Sequence, residues 1–138
     1  MRRYFSLFSL TILMVLMTGF LTAAAPVPNT TFTLVEGLPS TMNVGDTHTV
    51  IVHVDSDQEF LIAQALPSFQ FPGKGVVAVQ GGDHARSGLS ATLQVTFQAK
   101  SSTAQFPGGV APVYVVVGVR YAGGYVASER YSFNVTVP

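Results

Sequence analysis

The sequence predicts an all-β protein, a two-sheet antiparallel sandwich of seven or eight strands preceded by one apolar N-terminal helix. Three observations predict this fold. Short β-rich runs recur at near-regular spacing between turns rich in glycine and proline. Beyond residue 25 the composition favours valine, threonine, serine, glycine and phenylalanine, as in strands. No run after residue 25 has the length and periodicity that predict a helix.

Composition and charge exclude several classes of protein. Only 10% of the 138 residues are charged, against roughly 25% in an average soluble domain. Arg2 and Arg3 are two of the seven basic residues, so five basic and seven acidic residues remain beyond residue 25, a net charge of −2. This balance, without a basic cluster in the sequence, predicts no nucleic-acid partner and no electrostatic docking on anionic lipid. The absence of cysteine excludes disulfides and thiolate metal sites.

Residues 1–25 have the layout of an export segment. Two arginines precede an uncharged apolar run over residues 5–21, and small residues follow. This order predicts a secretory signal peptide cleaved after Ala24. The alternative is a single membrane anchor, because residues 5–25 reach the length of about 20 residues that spans a bilayer. Membrane contact is expected only in that uncleaved form. Either form predicts an extracytoplasmic domain: secreted, periplasmic or on the outer face of the membrane.

Residues 26–29 predict a stiff proline-containing linker, and residues 30–138 predict the sandwich domain. The predicted strands share alternating or continuous apolar residues bounded by turn residues. They cover residues 29–36, 47–55, 59–66, 76–80, 89–100, 113–121 and 125–137, with a short extension at 68–71. A turn is expected at residues 56–58 and an eight-residue loop at residues 81–88.

The strand over residues 113–121 is expected to organise the sheet. β-Branched residues occupy both of its faces, which predicts burial on both sides. Gly123 and Gly124 then predict a hairpin leading into the last strand.

Two stretches carry a resemblance to a known class of domain. The run Val44–Val50, which enters the second predicted strand, and the C-terminal hairpin resemble immunoglobulin-like and fibronectin-type-III-like domains of bacterial surface proteins. The resemblance covers residues 30–137. It departs from antibody-type domains, because the cysteine pair and the third-strand tryptophan are absent. It implies an immunoglobulin-like sandwich with a role in adhesion, spacing or assembly, and it implies no ligand.

The densest carboxylate cluster is formed by Asp55, Asp57 and Glu59. Their i, i+2, i+4 spacing resembles the start of a calcium loop, but the glycine and the distal glutamate of an EF-hand are absent. We therefore favour a solvated acidic turn and expect no metal and no cofactor. His48 and His53 lie five residues apart in one predicted strand, so they point to opposite faces.

A contact patch is predicted on two loops. Asp83, His84 and Arg86 lie in the predicted eight-residue loop, and binding residues often lie on loops of rigid scaffolds. Residues so close in sequence rarely converge in catalytic-triad geometry, and no Gly-x-Ser-x-Gly elbow is present. Tyr121 and Tyr125 flank the glycine turn and are expected to be exposed together. These five residues form the predicted patch.

The expected function is that of an exported, non-catalytic immunoglobulin-like interaction or structural module. It would contact a protein partner, as a small subunit of an envelope or membrane-associated assembly. The sequence predicts no enzyme and no catalytic residue, because export and a sandwich explain the whole chain. The alternative is a ligand-binding module for carbohydrate or calcium that uses the acidic cluster or the loop at residues 81–88.

Overall fold

The computed structural model describes residues 25–138, which form one antiparallel sheet of six strands. The strands are β1 (Thr30–Glu36), β2 (Thr47–Phe69), β3 (Val76–Gln80), β4 (His84–Ala99), β5 (Ala111–Tyr121) and β6 (Val126–Val135). The prediction of an all-β antiparallel protein is confirmed. The predicted apolar helix, as signal peptide or anchor, lies outside the described residues except for Ala25. Within residues 25–138, no helix has the length and apolarity needed to cross a membrane.

Two groups of strands share β2 and β4. The strand order is β3-β4-β2-β5-β6, and β1 also pairs with β2. β1 pairs with the first half of β2, residues 47–55, whereas β5 pairs with its second half, residues 60–69. β4 pairs with both halves. The first group is therefore β1, the first half of β2, the second half of β4, and β3. The second group is the first half of β4, the second half of β2, β5 and β6.

β2 continues through the position where a turn was predicted. Its register against β4 shifts between Asp55 and Phe60, but the strand does not end there. Ser56 Oγ donates a hydrogen bond to the Gln58 carbonyl oxygen at 2.7 Å, which supports this irregular stretch locally. The first residues of β4 likewise occupy part of the predicted loop at residues 81–88. The described residues therefore form six strands instead of seven or eight, because two pairs of predicted segments are each continuous.

The sheet folds back over a single apolar core. Phe69, at the end of β2, packs edge-on against Phe97 with ring centroids 6.0 Å apart. Phe97 pairs with His48 at the opposite end of β2, so this contact brings the two strand groups together. The largest fully buried side chains come from both groups and include Val50, Val52, Val54, Phe60, Leu93, Val95, Phe97, Val113, Val115 and Val117. Burial of these alternate residues from both groups is what stabilises the folded sheet.

β5 is buried on one face, not on both as predicted. Val113, Val115, Val117 and Val119 are fully buried, but the residues between them are half-exposed or exposed. Strand alternation explains this difference, because the odd positions face the core and no second layer from residues 25–138 covers the even positions. One side of β5 is therefore available for contacts outside the domain.

The C-terminus is held by one buried threonine. Thr103 Oγ1 donates a hydrogen bond to the Gly109 carbonyl oxygen at 2.7 Å and accepts one from Val137 N at 2.9 Å. Thr41 and Thr136 add a parallel bridge nearby. These bonds fix the loop after β4 and the end of the chain against the same core.

Candidate functional site

The outer surface of the second strand group is defined by the pairing register. Ala63, Ala65 and the odd-numbered valines of β5 face the core, so their neighbours face outward. Residues directly opposite each other in antiparallel strands share a face. We call this outer surface the arginine face. Its paired residues are Ile62, Gln64, Leu66, Ser68, His84, Arg86, Pro112, Tyr114, Val116, Gly118, Arg120, Val126, Ser128, Arg130, Ser132 and Asn134.

All arginines beyond residue 3 lie on this face. Arg86 and Arg120 pair with Ile62 from its two sides, and Arg130 pairs with Val116. All three arginines are exposed. Both lysines lie elsewhere: Lys74 in the turn before β3, and Lys100 directly after β4. The domain as a whole is mildly acidic, yet its arginines are gathered on one surface.

The three guanidinium groups have no carboxylate partner within residues 25–138. The one ion pair in that range joins His53 Nε2 to Asp55 Oδ1 at 3.3 Å, on the other strand group. None of the paired positions that define the arginine face carries an acidic residue. Positive charge therefore remains uncompensated by direct contacts on this surface.

One arginine is held in place by an aromatic ring. The Arg130 guanidinium carbon lies 4.8 Å from the centroid of the Tyr114 ring. Such a cation–π contact is electrostatically favourable and reduces the freedom of the long side chain. Tyr114 pairs with Ser132, next to Arg130 along β6, so the contact also places both side chains on the same face.

The centre of the arginine face is low and partly apolar. Gly118 lies between Gln64 and Ser128, and a methyl group added there would meet no atom within 4 Å. Around this gap, Leu66 is 45% exposed and Val126 is 57% exposed. The surface thus combines separated positive charges with exposed aliphatic groups and a depression between them.

A polar pocket of about 430 Å³ adjoins the arginine face. Its lining is formed by Gln80, Gly81, Gly82, Asp83, His84, Gln94 and Thr96. His84 belongs to both the pocket and the arginine face. Asp83 has a structural role as well, because its Oδ2 accepts a hydrogen bond from Gln94 N and its carbonyl oxygen accepts one from Ala65 N, both at 2.9 Å.

The five residues of the predicted contact patch do not form one surface. His84 and Arg86 lie on the arginine face, although in β4 instead of a loop. Asp83 is half-buried at the pocket. The prediction that Tyr121 and Tyr125 are exposed together is wrong for the first of them, since Tyr121 is 2% exposed whereas Tyr125 is 42% exposed.

Tyr121 holds the bend in β2. Its hydroxyl donates a hydrogen bond to Ser56 Oγ at 2.7 Å, so Thr30 Oγ1 must be the donor in the 2.6 Å contact between Thr30 and Tyr121. Ser56 Oγ donates onward to the Gln58 carbonyl oxygen. This chain of hydroxyl groups ties β5 to β1 and β2, which explains why Tyr121 faces inward.

The acidic cluster lies along the irregular stretch of β2. Asp57 Oδ1 accepts a hydrogen bond from Asn29 N at 2.8 Å, and Asp55 contacts His53. Glu59 is exposed. Within residues 25–138 no three histidine, aspartate or glutamate side chains lie close enough together to share a metal ion.

Comparison of the chain with models of known protein families and with curated proteins found no match. The arginine face was missed in the sequence because Arg86 lies 34 residues from Arg120, and only the register brings them together. One signal was present in the sequence: Arg120 alternates with the valines of β5, which places it opposite the buried face.

Proposed function

We propose that this chain is an exported, non-catalytic module that works by binding a protein partner in an envelope or membrane-associated assembly. The observation that carries the proposal is the arginine face. Three exposed arginines share one sheet surface, and none has a carboxylate partner within residues 25–138. Such groups give little stability to the domain itself, so their concentration on one side is better explained by contact with another molecule.

The composition of the arginine face supports a protein partner. Protein interfaces are enriched in arginine and aromatic residues and depleted in lysine, aspartate and glutamate. The arginine face has three arginines and Tyr114, exposed aliphatic side chains such as Leu66, and no lysine or carboxylate. Arginine and tyrosine are also frequent among the residues that contribute most to binding energy.

The architecture and the N-terminal sequence support the rest of the proposal. Two strand groups that enclose one core fit an immunoglobulin-like sandwich, whose outer faces are free to bind. The charged, apolar and small-residue order of residues 1–25 supports export. A sandwich without a convergent set of catalytic groups suits a role in adhesion, spacing or assembly.

Photo-cross-linking in the source cells tests the contact function. A photoreactive residue replaces Ser128 on the arginine face in one variant and Thr33, exposed on β1, in a matched control. We expect a discrete protein adduct from position 128 and none from position 33. Equal adducts from both positions, or no adduct from position 128, would contradict the proposal. Charge does not enter this test, which depends only on which side contacts the partner.

The polar pocket supports a second candidate function, carbohydrate binding. Gln80 and Gln94 supply amides, and His84 and Thr96 supply an imidazole and a hydroxyl, which are groups that can pair with sugar hydroxyls. A glycan array with the wild-type chain and His84→Ala would test it. We expect a sugar signal that the variant loses, and an array without signal would count against it. Calcium has less support, because Asp57 already accepts a backbone N–H.

A further inference from the structure

We infer that the partner of the arginine face is an acidic protein surface whose carboxylates meet Arg86, Arg120 and Arg130. The inference rests on the proposed contact function and adds the chemistry of the partner. A face whose paired positions carry three arginines and no acidic residue is complementary to carboxylates.

The positions of the arginines set the spacing that the partner must match. Arg86 and Arg120 lie on either side of β2, so their backbones are about 10 Å apart at the usual strand spacing. Arg130 lies one strand across and four residues along from Arg120, or about 14 Å away. A single carboxylate cannot reach all three, so the partner must present several acidic side chains.

The chemistry of the guanidinium group favours carboxylates as ligands. Arginine binds a carboxylate through two parallel N–H···O hydrogen bonds, a geometry that lysine cannot match. Arg130 is already oriented by the Tyr114 ring, so less side-chain freedom is lost when it binds. Both lysines of the domain lie off this face.

Other anionic partners fit less well. Lipid headgroup recognition uses clusters of about four to eight basic residues, and nucleic-acid binding domains are basic overall. Here three arginines are separated by Ile62, Leu66 and Val116, and the residues beyond 25 are net acidic. A long polyanion would be repelled by the remaining carboxylates, whereas a folded protein surface can place acidic groups opposite the arginines alone.

Binding of the full chain to immobilised poly-L-glutamate tests the inference. The double variant R120Q/R130Q removes two charges from the arginine face, and K74Q/K100Q removes the same charge elsewhere. We expect the dissociation constant to rise about tenfold in R120Q/R130Q and less than about twofold in K74Q/K100Q. Thermal melting of each variant confirms that it is folded. Heparin and anionic phospholipid vesicles are measured in parallel.

Four results would overturn the inference: no binding to poly-L-glutamate, equal loss in both variants, arginine-dependent binding only to heparin or vesicles, or concentration-dependent self-association that R120Q/R130Q abolishes. If any of these occurs while the adduct from position 128 persists, the contact function stands and the acidic chemistry is wrong. If the adduct is also missing, the contact function itself is wrong.

Discussion

The two outer faces of the sheet are built by the same two long strands and differ in chemistry. We call the outer surface of the first strand group the threonine face. Its paired residues are Thr31, Thr33, Thr47, Thr49, Ile51, His53, Asp55, Ser90, Thr92, Gln94, Thr96 and Gln98. Its ionisable side chains are His53 and Asp55, whereas the arginine face carries three arginines and His84.

The threonine face pairs several of its polar groups internally. Thr49 Oγ1 lies 2.9 Å from Thr96 Oγ1, His53 Nδ1 lies 2.9 Å from Thr92 Oγ1, and the same ring contacts Asp55. The three guanidinium groups of the arginine face make no ion pair within residues 25–138. The comparison indicates that polarity alone does not mark a contact surface, because polar groups that are already paired have less to offer a partner.

Charge reversal on the arginine face is the prediction with the largest expected effect. R120E/R130E should reduce the yield of the adduct from position 128 by roughly a hundredfold, because like charges then face the acidic partner. Stability should change by less than about 0.5 kcal/mol, since both side chains are exposed. Quantitative blotting of the adduct and urea denaturation measure the two effects. K74E/K100E is the matched control, and an equal loss there would remove the distinction between the faces.

The bend that separates the two strand groups gives the next prediction. Tyr121→Phe should lower the free energy of unfolding by about 1–2 kcal/mol, because Ser56 and Thr30 lose their shared partner. Tyr125→Phe should change it by less than about 0.5 kcal/mol, since this side chain is exposed. Urea denaturation compares the two variants. Equal stability of both would show that the hydroxyl chain does not hold the bend.

The internal pairing of the threonine face gives a smaller effect. Thr49→Val alone should destabilise the domain by about 1 kcal/mol, because Thr96 loses its partner. The double variant T49V/T96V should recover most of this loss, since valine suits a strand and leaves no unpaired hydroxyl at the pair. A double-mutant cycle in urea measures the coupling. Additive losses would mean that the two hydroxyls are not coupled, and partner binding should be unchanged throughout.

The smallest effect concerns alkaline pH. Burial, and secondly the Glu129 carboxylate, raise the pKa of Tyr131 above its ordinary value of 10.0. The folded state therefore retains the phenolic proton better than the unfolded state, and this contribution to stability is lost as pH rises through the folded-state pKa. Stability measured against pH should fall less steeply above pH 10 in Tyr131→Phe. Identical slopes for the variant and the wild type would contradict the raised pKa.

Most strands could be predicted because alternation is a local property. The period-two pattern of residues 89–99 and the valines of residues 113–119 identified the buried positions of β4 and β5, although Leu89 is exposed. The continuity of β2 could not be predicted in this way. Residues 56–58 have turn composition, and only their long-range partners keep them extended.

The arginine face depended on information that no single strand contains. Arg86 meets Ile62 only when the irregular stretch between Asp55 and Phe60 is counted correctly, and a slip of one residue would turn the side chain to the other face. The hydroxyl chain at Tyr121 likewise joins residues 65 and 91 positions apart. Faces built by one strand were therefore predictable, whereas sites shared between strands were not.

Arginine labelling tests the central claim most directly, because every arginine beyond residue 3 lies on the proposed contact face. The chain is treated with phenylglyoxal, once purified and once in its native assembly, and modification is quantified by mass spectrometry. We expect Arg86, Arg120 and Arg130 to react when the chain is purified and to be protected in the assembly. Lysine acylation at Lys74 and Lys100 should be the same in both. Equal arginine reactivity in the two preparations would contradict the claim that this face binds the partner.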